Sequence, residues 1–487
     1  MKIIRIKKGK PYLFTDVKAW GGKGDNLLRL NQVFNVPSGF IISSDTYQEW
    51  INQAQLNSFI DQTLKDDVPL IATQAQPRKR NLLSRLIKKD QTDIQEYSLA
   101  DNENKTEQVY NTIRSKFLAT ELPEDLVSKL EDEFSRLEMP IAVRSSSINE
   151  DGAKNSYAGR HETILGVSIF EEFSNAIREV YASLFTPRAI SYRTNKGLTL
   201  DDSIAIVAQT MVNPVVSGVA YSPSPNNENE ILIESNYGLC TSIVEGRVCD
   251  IYRVLDTITG NTILDISTKK SRMDTLDKSK KSVVTVDVAR NKAGKSSLTP
   301  EQVLEIAKAA KSIERSYGMP MDIEWAYDTD NNLYVLQARP ITGLRINEET
   351  IKLPNIPQKR ILARSKNTRK TGIYEGPTVV VKEIDHVNSK IVVDGNIVDL
   401  NRQFGDGYIL LAPEIPLQLE QYVTNARAMY ATECGTTGHA ASVACEKGIV
   451  YMGRGVNTLP DLLSKIRSGT KLGIAVSKDE GILYLLE

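Results

Sequence analysis

Between residues 139 and 345, short β-branched runs alternate with helical spacings, and this alternation limits the fold more than any other feature of the chain. Ile204-Ala-Ile-Val-Ala and Glu230-Ile-Leu-Ile-Glu read as strands. Ser297–Tyr317 has the apolar spacing of a helix, and Pro300 suits its first turn. Strands and helices interleaved in this way imply a mixed α/β domain in two layers. With 487 residues there is room for roughly two to four domains.

The organisation expected from texture is a first domain over 1–345, a linker over 346–372 and a second domain over 373–487. The linker contains Pro354 and Pro357 and is rich in Lys and Arg. Its 27 residues could extend to about 90 Å, at roughly 3.3 Å each. Thr378-Val-Val-Val-Lys, Tyr408-Ile-Leu-Leu and Gly481-Ile-Leu-Tyr-Leu-Leu read as strands of the second domain, and a helix is expected near Leu417–Tyr430. A polar stretch at about 56–115 reads as a helical, solvated surface insertion in the first domain.

A net charge of −1 implies no general attraction to nucleic acid or membrane. The four cysteines lack metal-ligand spacing. No run approaches the roughly 18 apolar residues of a membrane span. A cytoplasmic protein is the default expectation.

Three segments carry residues suited to phosphate. Gly21-Gly22-Lys23-Gly24 leads into a helix, where glycines admit a close ligand and Lys23 adds a point charge. Such a turn also occurs with no ligand at all. Val143-Arg144-Ser145-Ser146 ends a short apolar run, and a small-residue loop through Gly159 to Thr163 follows. Arg144 can fork two phosphate oxygens, or serve as an ordinary ion-paired arginine. Asp322-Ile-Glu324-Trp and Leu333-Tyr-Val-Leu-Gln337-Ala-Arg339-Pro read as antiparallel strands joined by a turn at Asp328–Asn332. Alternation puts Asp322 and Glu324 on one face, and Gln337 and Arg339 on one face of the partner. Carboxylates beside an amide suit Mg²⁺, and Arg339 could neutralise charge on a transferred phosphoryl group. A surface salt bridge is the bland alternative.

His439 is one of three histidines, in Cys434-Gly-Thr-Thr-Gly-His-Ala-Ala. A small-residue turn that presents an imidazole at a helix start can serve as a covalent phosphate carrier. His161 falls in the small-residue loop, and His386 reads as a surface group.

Together these segments resemble the phosphoenolpyruvate synthase and pyruvate phosphate dikinase family, which includes rifampin phosphotransferase. The resemblance rests on Gly21-Gly22-Lys23-Gly24, Val143-Arg144-Ser145-Ser146, Ala158-Gly159, Gln337-Ala338-Arg339-Pro340 and Gly435-Thr436-Thr437-Gly438-His439, in the family's order. It implies a two-lobed ATP-grasp domain followed by a swivelling β/β/α phosphohistidine domain. It implies that Lys23, Arg144, Gly159, Thr163, Gln337 and Arg339 bind ATP, and that Glu324, with Gln337, holds Mg²⁺. Ile206–Val212 is similar to the family's hinge strand, which implies adenine contacts at Gln209 and Val212. Lys23, Arg339 and His439 would be the catalytic set. The chain departs from the family pattern at Gly438, where the family has Ser, and at Cys445, where it has Arg. Gly238-Leu239-Cys240-Thr241 replaces Gly-Leu-Gly-Glu.

The implied activity is a dikinase-type phosphotransfer through His439 to a small-molecule acceptor, with release of AMP and phosphate. With 48 residues after His439, the family's (β/α)₈ acceptor barrel is not expected on this chain. The acceptor would enter a cleft here or be brought by a separate subunit of a split synthase-like complex. An acyl-phosphate-forming ATP-grasp ligase and a non-catalytic homologue are the other classes. The carrier histidine argues against the first, and the joint presence of Lys23, Arg144, Glu324, Gln337, Arg339 and His439 argues against the second.

Overall fold

The computed structural model describes residues 2–7, 16–67, 92–147, 151–152, 155–156, 163–187, 189–190, 203–224, 229–244, 249–257, 261–266, 270–277, 282–341, 351–365, 368–385, 390–393, 396–397, 407–413, 426–432, 441, 444, 447–455, 461–477 and 480–486. The chain divides into two compact units. One is Met1–Met211 with Asp277–Val283, and the other is Val212–Leu276 with Val284–Glu487. No helix among the described residues is long and apolar enough to cross a membrane.

The N-terminal unit contains β1 (Ile3–Ile6), α1 (Val17–Leu30), β2 (Gly39–Ile42), α2 (Ser44–Gln53), α3 (Leu56–Asp67), α4 (Thr92–Leu118), α5 (Glu124–Phe134), β3 (Ile141–Ser147), β4 (Thr163–Val167), α6 (Phe170–Ala182) and β5 (Ile204–Thr210). Its sheet runs β1–β2–β5–β3–β4, with every adjacent pair antiparallel. Phe40, Ile42, Ile141, Val143, Ile206 and Ala208 share one core with α2 to α6. Successive strand residues alternate faces, so the even positions of β3 and the odd positions of β5 form the other face.

The segment at 56–115 takes part in this core. Leu56, Ile60 and Leu64 recur at fourfold spacing on α3, as do Val109, Ile113 and Phe117 on α4, and all six are buried. The expectation of a solvated insertion therefore does not describe its two ends. Each apolar stripe has only one residue per turn, so a polar composition conceals it.

The second unit begins with a sheet of β6 (Val216–Ser222), β7 (Ile231–Tyr237), β8 (Asp250–Asp256), β9 (Asn261–Ile266), β10 (Met321–Tyr327) and β11 (Leu333–Pro340), in the order β9–β8–β7–β6–β10–β11. Helix α7 (Pro300–Tyr317) starts at Thr299, whose hydroxyl accepts from the Gln302 amide while Gln302 reaches back, and it ends at left-handed Gly318. It covers the sheet face that carries Ser222 and Tyr327, which hydrogen-bond Glu314 and Glu305 of the helix. Ahead of α7, Lys270 Nζ lies 2.6 Å from Asp250 Oδ1 and donates to the Lys295 carbonyl, with both side chains fully buried. Asp250 Oδ2 accepts from the Ser297 amide and hydroxyl.

The C-terminal sheet runs β12 (Ile361–Ser365), β18 (Gly481–Leu485), β17 (Lys471–Val476), β13 (Gly372–Asp385), β14 (Tyr408–Ala412), β15 (Ala426–Ala431) and β16 (Val450–Met452). From β13 to β16 the strands are parallel. The expected helix near Leu417–Tyr430 is corrected in part: Ala426–Ala431 is a largely buried strand, and 414–425 lie outside the described residues. Much of the segment expected as a linker is built into this sheet. Leu353 and Ile356 pack on it, and β12 pairs with β18. The freely extended length of 27 residues therefore does not apply.

The buried pair is the weak point of the second unit if one partner is lost. Lys270→Met leaves the Asp250 carboxylate uncompensated in the interior, at an expected cost of about 3–5 kcal/mol in urea unfolding followed by Trp325 fluorescence. Loss of less than about 1 kcal/mol would show that the pair does not hold this region.

Candidate functional site

The glycine turn and the arginine strand meet through one hydroxyl. Helix α1 is kinked at Gly21, which has φ +69° and ψ 174°. In a continuous helix the Trp20 carbonyl would accept from the Gly24 amide, four residues on. Here the Ser146 hydroxyl stands between them, accepting from Gly24 N at 2.9 Å and donating to Trp20 O at 2.8 Å. A side chain inserted in the ladder is a recognised cause of a sharp kink. Only glycine fits at position 21, because a Cβ there would lie 1.9 Å from the Ser146 carbonyl oxygen. The kink starts a fresh helical turn at Gly22-Lys23-Gly24, a helix start of the kind that favours an anion, with the Gly24 amide already taken by Ser146.

Lys23 is buried on that turn, and Arg144 is half-buried two residues before Ser146. Alternation along β3 places Arg144 on the same face as Ser146. Thr163 opens β4 directly opposite Arg144, and Val207 faces Arg144 from the other side. Lys23, Arg144 and Thr163 are thus carried by one face of this unit. Gln209 is buried, and its side-chain amide donates to the Pro37 carbonyl at 3.1 Å, so that group ties strand to loop. Val212 is half-buried and is the residue at which the chain passes into the second unit. Gly159, His161, His386 and His439 lie outside the described residues.

The second group occupies β10 and β11. The turn between them is held by Asp328, whose Oδ1 accepts from the Asp330 and Asn332 amides, with Asn331 left-handed at φ +61°. The turn sets the register only as far as Trp325 opposite Val335; a bulge at Leu336 then shifts it by one residue, so that Glu324 faces Gln337 and Asp322 faces Arg339. Across β10, Tyr221 of β6 faces Asp322 and Val219 faces Glu324. Two rows result on the face opposite α7: Tyr221–Asp322–Arg339 and Val219–Glu324–Gln337.

Asp322 Oδ2 accepts from Arg339 Nε at 2.9 Å and Nη2 at 2.7 Å. The bland alternative, an ion pair, is therefore present, but it is not a surface one. The Asp322 side chain is 8% exposed and that of Arg339 is 28%. A carboxylate that holds two guanidinium nitrogens fixes the plane of the fork. In the next row, a half-buried carboxylate and a buried amide stand directly opposed on adjacent strands, about 5 Å apart at Cα. A carboxylate and an amide oxygen are the donor types that a hard divalent cation takes. Among the described residues, no group of three or more His, Cys, Asp or Glu side chains could hold a metal by itself.

Sequence reasoning missed the Ser146 splice and the Asp322 clamp. Ser146 was in plain view in Arg144-Ser145-Ser146, but its partners lie over 120 residues away. Alternation places Asp322 beside Glu324 as a cation ligand or surface ion pair, and the structure instead gives that carboxylate to Arg339 in a largely buried pair. The departure at Thr241 has a structural use: its hydroxyl donates to Asp274 Oδ2 at 2.7 Å.

Residues 17–359 match the family model described as pyruvate phosphate dikinase, AMP/ATP-binding domain. Phosphoenolpyruvate synthase from Pyrococcus furiosus is 29% identical over 496 residues, covering 96% of this chain and 57% of that protein. Phosphoenolpyruvate synthase from Neisseria meningitidis is 29% identical over 498 residues, with the same two shares. The chain thus spans little more than half the length of these curated relatives. Among solved structures, an L-amino acid ligase from Bacillus licheniformis aligns at a TM-score of 0.24 and 16% identity, over 49% of this chain and 42% of that one. A likeness that low carries no fold argument.

Ser146→Ala strips the Gly24 amide and the Trp20 carbonyl of a buried partner, at an expected cost of about 1–3 kcal/mol for each group left unsatisfied. Gly21→Ala should destabilise more than the usual glycine-to-alanine change, because the backbone must move as well. Urea unfolding followed by Trp20 and Trp50 fluorescence measures both, and wild-type stability in either variant would refute the splice.

Proposed function

From a chain that belongs to the family of the pyruvate phosphate dikinase AMP/ATP-binding domain, we propose an ATP-dependent phosphotransferase that works through a phosphohistidine at His439. ATP binding and dikinase-type phosphotransfer are the family's chemistry. The observation that carries the reading to particular residues is the register of β10 and β11, which opposes Asp322 to Arg339 and Glu324 to Gln337 on one face.

In this reading, 1–345 is an ATP-grasp domain and 373–487 is the swivelling carrier. Lys23 and Arg144 hold phosphate oxygens, with Thr163 and the Gly159 loop beside them. Glu324 and Gln337 would hold Mg²⁺, which would supply positive charge to offset that of the phosphates. Arg339, kept in plane by Asp322, stabilises charge that develops on the transferred group. A nitrogen of His439 attacks the β-phosphorus, the α–β bridging bond breaks, and AMP leaves with the electron pair. Water attacks the γ-phosphorus of the resulting pyrophosphohistidine and releases inorganic phosphate, leaving phosphohistidine, which passes its phosphoryl group to a small-molecule acceptor. A cytoplasmic site of action fits these substrates.

Incubation with β-labelled ATP should place acid-labile label on the wild-type chain and none on His439→Ala. Arg339→Ala should slow labelling by about 10²-fold or more, as for loss of one preorganised charge-stabilising group. Product analysis should find AMP. Stable ADP formation with an unlabelled chain would replace this reading with the ligase class, and no nucleotide turnover at all would leave a binding protein.

A further inference from the structure

Arg369 joins the C-terminal sheet to the Tyr221–Asp322–Arg339 row. Its amide donates to the Tyr451 carbonyl at 3.1 Å, and its neighbour Thr368 bridges to Met452. Both contacts are with β16, the strand that follows the His439 segment in the chain and pairs with β15 ahead of it. The guanidinium lies over the Tyr221 ring, 5.5 Å from its centroid. Arg369 is 9% exposed and Tyr221 3%. Burial, and next the Asp322 carboxylate, push the Tyr221 phenol above its ordinary range, while Arg369 and Arg339 act in the opposite direction. Tyr221 is therefore within electrostatic reach of both arginines and of the carboxylate that clamps one of them.

We propose that Arg369 is a positioning residue for the first half-reaction: seated on Tyr221, it docks the sheet that bears the His439 segment against the face that holds Asp322 and Arg339. This rests on the function proposed above. A planar cation over an aromatic face suits the task. The contact is strong enough to register two surfaces once desolvated. Strand β16 converts the contact into placement of its own start, because Arg369 is held there through backbone and not through a flexible stem. Separation of the carrier for the second half-reaction requires that Arg369 leave the ring.

The test is a double-mutant cycle with two readouts. Spin labels on unnatural ketone side chains at exposed Met319, beyond α7, and at exposed Ile373, on β13, report the distance between the two sheets. The wild-type chain and Tyr221→Phe, which keeps the ring, should give one narrow distribution. Arg369→Ala and Tyr221→Leu should each broaden it, and the double variant should broaden it no further. In single-turnover labelling from ATP, Arg369→Ala should be slower by about thirtyfold, the size of a desolvated cation–π contact. ATP affinity should be unchanged, so that the loss falls on phosphoryl transfer, which general unfolding would not allow. A narrow distribution and full labelling rate in Arg369→Ala overturn the proposal, as do fully additive effects in the cycle. A wild-type chain that takes no label sinks the parent reading and the role in transfer with it, while the distance cycle still decides the docking contact.

Discussion

The register of one antiparallel strand pair organises the chemistry of the second unit. Antiparallel pairing sets residues directly opposite one another, and a slip of one position would send every side chain to the other face. With Asp322 against Arg339, the guanidinium is oriented before any ligand arrives. With Glu324 against Gln337, a carboxylate and an amide are set directly opposite one another on different strands. Helix α7 occupies the opposite face, so the polar rows belong to the side it leaves alone.

The first unit solves the matching problem by breaking a helix. A continuous α1 would bury the amides of Gly22, Lys23 and Gly24 in its own ladder. The Ser146 hydroxyl replaces the missing bond at both ends, so the kink carries little penalty of unsatisfied polar groups. It also ties the Lys23 turn to the strand that bears Arg144. Thr163 joins the same row by strand pairing. In each unit, phosphate-type side chains are placed by elements of regular structure, which holds them more accurately than loops do.

The Lys270–Asp250 pair has a different role. It lies inside the second unit, satisfied by Lys295 and Ser297 ahead of α7. Buried pairs of this kind contribute little net stability but penalise every arrangement that separates them. Here that penalty fixes where the helix begins relative to β8.

Local patterning was legible in the sequence wherever neighbours along the chain decide structure. Alternation placed Asp322 with Glu324 and Gln337 with Arg339, Pro300 and Thr299 marked the start of α7, and apolar runs marked β5, β7, β14 and β18. The same patterning failed at Ala426–Ala431, whose strand character comes from burial between parallel neighbours, and at 56–115, whose thin apolar stripes meet only in the folded core. Tertiary structure alone decided that Ser146 splices α1, that Gln209 turns to Pro37, that Asp322 clamps Arg339 and that Arg369 lies on Tyr221. Those four depend on groups brought together from 17 to 172 positions apart. Side-chain type and spacing determine which atoms can bond, but chain closure over such lengths determines which of them meet.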